Sequence, residues 1–204
     1  MAPMSSTNSA GYSPSEQSSL LQIALNSIEH GLASGTGLVV EPSEYPPLLN
    51  EKRASFVTLT VDTALRGCIG SLQPHARLVD DVARNAFAAA FRDPRFPSLS
   101  ESELDSISIQ ISVLGPTEPL TVTSEQALIR QLRPGIDGLI LKDRTARGTF
   151  LPAVWDSLPQ PDRFLEQLKI KAGLPADYWS DTIEILRYTT ESFSAPVSRI
   201  RNTD

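Results

Sequence analysis

Between residues 106 and 113 the chain alternates without a break. Ile107, Ile109, Ile111 and Val113 fall on one side, and Ser106, Ser108, Gln110 and Ser112 on the other. Successive side chains of a strand project to opposite faces, so this stretch reads as a strand with one apolar and one polar face. Such a strand belongs to an antiparallel sheet, because parallel strands are covered on both faces and read as continuous apolar runs. Ile107, Ile109 and Ile111 are therefore expected in the core. Two further runs fit the same sheet. Residues 56–61 alternate, with Val57, Leu59 and Val61 on one face, and residues 64–72 follow a short turn at Asp62-Thr63. That pair reads as a hairpin.

Helices flank these strands. Ser13, Pro14 and Glu16 form a helix start with a capping box, and Leu21, Ala24, Leu25 and Ile28 then share one face. Gly31 or Gly35 ends that helix. A second helix is expected over residues 76–91. Its small residues Ala83, Ala86, Ala88, Ala89 and Ala90 allow close packing, and Phe87 and Phe91 share one face. It stops at Asp93-Pro94-Arg95-Phe96-Pro97, where two prolines forbid further helix. Beyond the alternating strand, Thr123 and Gln126 suggest the cap of a short helix running to about residue 132. Short strands over residues 138–141 and 148–151 are joined by a polar turn at Lys142-Asp143-Arg144. A helical turn over 152–158 precedes an amphipathic helix over 162–172, with Phe164, Leu165 and Leu168 inward, and a last strand occupies 182–189. Residues 1–13 read as a flexible tail, 14–196 as the folded domain and 197–204 as a polar C-terminal tail. Hairpins and alternating strands interleaved with helices make this an α+β chain, with a mainly antiparallel sheet and flanking helices.

Hydrophobic residues are 40% and charged residues 21%, which excludes wholesale disorder. The formal net charge of -6 argues against a broad nucleic-acid surface, which needs clustered cations. A local anion pocket stays open, since the basic residues are mostly arginine, the side chain suited to planar anions. A single cysteine, Cys68, excludes an internal disulfide and multi-cysteine zinc or iron–sulfur centres, and two histidines, His30 and His75, cannot build a histidine-rich metal centre. No metal and no cofactor is expected. No run approaches the roughly 18 apolar residues of a membrane span, and no secretory signal is visible. A soluble, cytoplasmic protein is expected.

The segment with most chemical content is Leu65-Arg66-Gly67-Cys68-Ile69-Gly70. On a regular strand Arg66 and Cys68 share one face, with Cα atoms roughly 6.5 Å apart, while Leu65 and Ile69 share the other. Gly67 and Gly70 let a ligand or another backbone come close. A guanidinium near a thiol enriches thiolate, the reactive form, which makes Cys68 the candidate catalytic or redox-active residue and Arg66 an anion-binding one. The alternative is a buried Cys68 acting as a small hydrophobe, with Arg66 paired to a carboxylate. A dyad of Cys68 with His75, seven residues on and past Pro74, has no support from spacing. The Asp93-Pro94-Arg95-Phe96-Pro97 loop is stiffened by its prolines. It is expected within one side-chain layer of the hexamer, with Asp93 or Arg95 bonded to it; the alternative is a rigid connector. Cys68 is thus the catalytic candidate, and Arg66, Gly67, Gly70, Asp93 and Arg95 are the binding candidates.

These segments, together with Ile111-Ser112-Val113-Leu114, Pro134-Gly135 through Gly138-Leu139, Phe150-Leu151-Pro152 and Lys171-Ala172-Gly173-Leu174-Pro175 ending at Trp179, resemble the AMMECR domain family in order and approximate spacing. The family is called AmmeMemoRadiSam system protein A in prokaryotes, and the resemblance spans about residues 15–195. It implies an α+β fold of two intimately packed subdomains with the hexamer near a cleft between them. It also implies association with a Memo-like protein and a radical S-adenosylmethionine enzyme, and it implies no particular reaction. Where many members carry a histidine between Pro-Gly and the next glycine, this chain has Asp137, so no role of that histidine carries over. The expected function is a component of that system, binding or modifying a small molecule, a peptide or RNA through an Arg/Cys cleft. The alternative is a non-catalytic scaffold in which the hexamer is a packing motif and Trp155, Tyr178 and Trp179 dock a partner. The oligomeric state stays open.

Overall fold

A computed structural model of the chain describes residues 11–202; of the tail expected over residues 1–13, residues 1–10 lie outside them. In chain order the elements are α1 (Pro14–Ser34), β1 (Ser55–Val61), β2 (Ala64–Gly70), α2 (Leu78–Phe91), β3 (Ile107–Leu114), β4 (Glu118–Pro119), α3 (Glu125–Ile129), β5 (Gly138–Asp143), β6 (Ala146–Phe150), α4 (Pro161–Lys171), β7 (Glu184–Tyr188), β8 (Thr190–Pro196) and α5 (Val197–Ile200). They divide into two compact units. One holds the chain up to Val113 together with the stretch from Glu191 onward, and the other holds Leu114–Thr190. The class is α+β, with antiparallel sheets.

In the first unit the sheet order is β2-β1-β3-β8. The β1–β2 hairpin turns at Asp62 and Thr63, both with positive φ (47° and 71°), the handedness that matches strand twist in a two-residue turn. Antiparallel pairing sets Val57 opposite Ile111, Leu59 opposite Ile109 and Val61 opposite Ile107. Ile107, Ile109 and Ile111 are all buried, as the alternation predicts. Apolar residues of α1 and α2 join that core, including Leu20, Leu25, Ile28, Val79, Val82 and Ala86. The capping box forms as expected: Ser13 Oγ accepts from Glu16 N, and the Glu16 carboxylate accepts from Ser13 N at 2.8 Å. Gly35, at φ 71°, ends α1, while Gly31 lies inside the helix against the rings of Phe87 and Phe91. On the opposite sheet face, Thr58 faces Gln110 and Thr60 faces Ser108, all half-buried.

Several expectations are corrected. The single last strand is two, β7 and β8, each in a different sheet. Within the expected C-terminal tail, Val197–Ile200 form a helix, and residues 203–204 lie outside the described residues. α5 buries Val197 and Ile200 in the core, and Arg201 bridges Glu29 at 2.8 Å and Asp105 at 2.5 Å. Tyr12 packs on the same core and donates its N–H to Glu191 at 2.8 Å. Ser124, not Thr123, caps α3, accepting from Ala127 N. Lys142 and Asp143 stay in β5, and the turn falls at Arg144 with φ 52°.

In the second unit the order is β4-β7-β5-β6, and α4 covers it with Phe164, Leu165 and Leu168 fully buried. Trp155 stacks on Phe164 with centroids 3.8 Å apart and donates its indole N–H to Asp137 O at 2.7 Å. Trp155 is therefore core and not the docking residue of the scaffold alternative. Tyr178 and Trp179 are half-buried, and Tyr178 Oη donates to Asp143 at 2.7 Å.

Candidate functional site

β2 is the end strand of its sheet, and its register against β1 is irregular. Ile69 lies opposite Val57, Cys68 opposite Thr58 and Gly67 opposite Leu59, but Thr60 then pairs with Leu65. Arg66 is left as the extra residue of a bulge, the device that bends and twists an edge. The simple alternation fails here for that reason. Leu65 lies across from Thr60 and Ile69 across from Val57, so the two do not share a face, and Leu65 is 43% exposed.

The glycines are filled from the protein side. A Cβ on Gly67 would come within 3.0 Å of the Ala89 carbonyl oxygen in α2, and one on Gly70 would meet the Phe56 ring and the Ser55 carbonyl. Their lack of a side chain serves packing against a helix and a neighbouring strand. Arg66 pairs with Glu103 through two bonds, Nε to Oε1 at 2.7 Å and Nη2 to Oε2 at 3.2 Å. Ser100 holds Glu103 from the other side, through its N–H at 2.9 Å and its hydroxyl at 2.8 Å. The Arg66 guanidinium, and then Ser100, hold the Glu103 carboxyl down to about 2. The remaining nitrogen of Arg66, Nη1, is buried without a hydrogen-bond partner among the described residues.

The proline-flanked loop does reach the hexamer. Asp93, buried, accepts the Cys68 N–H at 2.8 Å on Oδ2. Arg95 Nη2 donates to the Cys68 carbonyl at 3.3 Å and to Asp93 Oδ2 at 2.7 Å, while Arg95 Nε and N donate to Asp93 Oδ1 at 2.9 and 3.1 Å. The Arg95 bonds are the main reason that the Asp93 carboxyl lies far below the usual carboxylate range; the Cys68 N–H acts the same way. Arg95 is pushed up chiefly by Asp93, with a smaller contribution from the Cys68 thiol. The arginine bonded to Cys68 is thus Arg95, through the backbone carbonyl, whereas sequence spacing pointed to Arg66, which is paired with Glu103. Cys68 is half-buried, and Thr58 Oγ1 donates to its Sγ at 3.3 Å. His75 stands in the exposed loop after β2 and adds nothing to this cluster that the structure describes. Among the described residues no group of three or more His, Cys, Asp or Glu is placed to hold a metal ion.

Sequence reasoning missed Thr58 and Glu103. Ser100 and Glu103 have the spacing of a capping box, which was the available signal for Glu103. It also missed a buried lock on α2. Asp81 accepts from Ser55 N and Oγ, both at 2.8 Å, from Asn85 Nδ2 at 2.9 Å, and from Ser71 and Arg84. Polar residues four apart on an apolar helix face were the signal there. In the second unit Asp137 accepts from Arg133 N, Nε and Nη2 at 2.8, 2.9 and 2.6 Å. Asp143 accepts the hydroxyls of Ser180, Tyr178 and Thr182 at 2.6, 2.7 and 2.7 Å, and these bonds, Ser180's first, lower its pKa.

The comparisons with known proteins agree with one another. The family model described as AMMECR1 matches residues 21–193. A protein of Methanothermobacter thermautotrophicus is 37% identical over 190 residues, covering 90% of this chain and 96% of its own length. A protein of Thermococcus onnurineus is 40% identical over 186 residues, covering 85% and 87%. The crystal structure of the uncharacterised protein PH0010 from Pyrococcus horikoshii superposes with a TM-score of 0.80 at 34% identity, covering 87% of this chain and 90% of that one.

Proposed function

The chain belongs to the AMMECR1 family, and from that premise we propose that Cys68, with Arg95 and Thr58 beside it, is where the protein binds or modifies an anionic small molecule or peptide. It would do so in the cytoplasm, as a component working with a Memo-like protein and a radical S-adenosylmethionine enzyme. One observation carries this reading. Gly67, Gly70, Arg66 and Asp93 are each engaged by other protein groups, while Cys68 as a residue is half-buried and the Arg95 side chain is 54% exposed. A thiol beside a cation held in place by a buried carboxylate suits attack on, or grip of, a molecule with a negative group. RNA is disfavoured by the net charge of -6. Among the described residues no helix is long and apolar enough to cross a membrane.

The test exploits the single cysteine. Native protein is alkylated with neutral iodoacetamide and with anionic iodoacetate. Both reagents should label Cys68 without unfolding, and Arg95→Ala should slow iodoacetate about fivefold relative to iodoacetamide, the worth of roughly 1 kcal/mol for a charge pair near the surface. Labelling only after denaturation would sink the thiol role. The scaffold reading would then stand, favoured by the Arg66–Glu103 pair and by the close approach of α2 to Gly67.

A further inference from the structure

The bonds made by Asp93 and Arg95 have a geometry of their own, independent of any chemistry at the thiol. Among the described residues β2 ends its sheet, so the backbone groups on its outer side have no neighbouring strand there. At Cys68 the N–H points outward to Asp93 Oδ2 at 2.8 Å and the C=O points outward to Arg95 Nη2 at 3.3 Å. One acceptor and one donor meet one residue's outward pair, which is what an added antiparallel strand would supply. We propose that Asp93 and Arg95 form a side-chain plug that closes the β2 edge against pairing with a second copy of this chain.

Three further observations support the plug. Natural sheets blunt their edges with bulges, charges and covering loops, and β2 has all three: the bulge at Arg66, the Asp93–Arg95 pair, and the proline-flanked loop laid beside it. The strand underneath is otherwise suited to pairing. Ala64, Leu65, Cys68 and Ile69 are apolar, Leu65 is exposed, and the one charge, Arg66, is bonded to Glu103. The loop backbone also has little to offer in place of the two side chains. Pro94 and Pro97 have no N–H, the Phe96 N–H bonds to Asp93 O at 3.2 Å, and the Arg95 N–H bonds to Asp93 Oδ1. Without the plug the loop has no bond holding it to the edge at Cys68.

The occupant follows from symmetry. The same edge on two copies is self-complementary across a two-fold axis, the commonest route to a homodimer. Centred on the outward-facing Cys68, such a pair places each Cys68 opposite that of the second copy as a hydrogen-bonded pair. The Cα atoms then stand about 5.5 Å apart, inside the roughly 4.4–6.8 Å that a disulfide spans. Diamide can report it: the two thiols lose two electrons and two protons to form one S–S bond, and diamide is reduced to its hydrazine.

Asp93→Ala and the unaltered chain are compared by light-scattering mass on a sizing column, by far-UV circular dichroism, and on non-reducing gels after diamide. Asp93→Ala should fold, double its mass, and give a Cys68–Cys68 cross-linked dimer, while the unaltered chain stays monomeric and uncross-linked. Asp93→Ala combined with Cys68→Ser should still double its mass, because pairing precedes the disulfide. A folded Asp93→Ala that stays monomeric overturns the plug, as does a dimer that diamide does not cross-link, or an unaltered chain that cross-links equally fast. If Asp93→Ala fails to fold, Arg95→Ala decides by the same readouts. It uncovers the Cys68 carbonyl while leaving the Asp93 bond in place.

Discussion

Each unit buries an aspartate against the guanidinium of an arginine close by in sequence: Asp93 with Arg95 in the first, Asp137 with Arg133 in the second. In both the carboxylate is buried and the arginine side chain is about half exposed, at 54% and 48%. The difference lies in what else the carboxylate holds. Among the described residues the hydrogen bonds to the Asp137 carboxylate all come from Arg133, its backbone N–H included, so they close on its own loop, with only a looser ion pair at 3.9 Å to Arg187 Nε on β7. Asp93 accepts the N–H of Cys68, twenty-five residues earlier, so its clamp joins a loop to an edge strand. A clamp whose hydrogen bonds are local fixes chiefly a turn. A long-range clamp fixes a strand, its register and the one thiol of the chain, which is why the first unit carries the candidate site.

The comparison breaks most visibly at the two glycines that lie beneath helices. In Gly67→Ala the new methyl would be driven into the Ala89 carbonyl of α2, a backbone atom with little freedom to move. In Gly148→Ala the nearest atoms, of Ala172 and Leu168, stand at 3.0 Å and need yield only a few tenths of an ångström. Overpacking of this kind costs about 3 kcal/mol at the first position and about 1 kcal/mol at the second. Urea unfolding of the two variants checks the order. Equal losses would mean that β2 and α2 adjust together as easily as β6 and α4.

Next come the carboxylates. Asp93→Asn and Asp137→Asn each lose charge-assisted bonds, and both arginines can turn to water, so each should cost about 2 kcal/mol, below the range for a fully buried broken pair. The separation lies in the thiol. Asp93→Asn should change the rate at which native Cys68 is alkylated, because it disturbs both the Cys68 backbone and Arg95. Asp137→Asn should leave that rate alone. If neither variant alters it, Asp93 is a structural clamp of the same kind as Asp137, and the difference drawn between them disappears.

What the sequence could and could not show follows the same division between local and long-range. The alternation over residues 106–113 is a local period, and it predicted the burial of Ile107, Ile109 and Ile111. The helical period likewise predicted Phe164, Leu165 and Leu168 as core. The reach of the loop to the hexamer was legible because two prolines around Asp93 and Arg95 restrict where the chain can go. β8 was missed because its inward residues, Phe193 and Ala195, alternate with serines too weakly to mark a strand. Its placement depends on contacts such as that of Ser192 with Ser112, eighty residues apart. The bulge was invisible for a similar reason. Arg66 is displaced from its expected register, and its partner Glu103 lies 37 residues onward. Spacing alone could name an arginine near Cys68, but not that Arg95 is the one bonded to its backbone.

The smallest effect, and the sharpest contrast in kind, is the response to acid. Glu103 in the first unit is held down to about 2 by a guanidinium, while Asp143 in the second is lowered by three neutral hydroxyls. Both groups favour the carboxylate in the folded state. Their stabilisation is therefore complete above the ordinary carboxyl range and is lost as pH falls through it, for Glu103 between about 4.5 and 2. Glu103 is partly exposed, so its share should stay below about 1 kcal/mol. The causes differ in their response to salt, because an ion pair near the surface is screened within about 3 Å at 1 M salt, whereas hydroxyl bonds are not. Both tryptophans, Trp155 and Trp179, belong to the second unit, so fluorescence reports that unit while circular dichroism reports both. In melts from pH 5 to pH 2, Glu103→Gln should flatten the acid loss seen by circular dichroism, and 1 M salt should do the same to the unaltered chain. Glu103→Gln should leave the acid loss seen by fluorescence in place, and 1 M salt should move it less than the dichroism limb, since the second unit has ion pairs of its own such as Arg133–Asp137. A fluorescence limb that shifts with salt as much as the dichroism limb would show that the two carboxylates are held by the same kind of force.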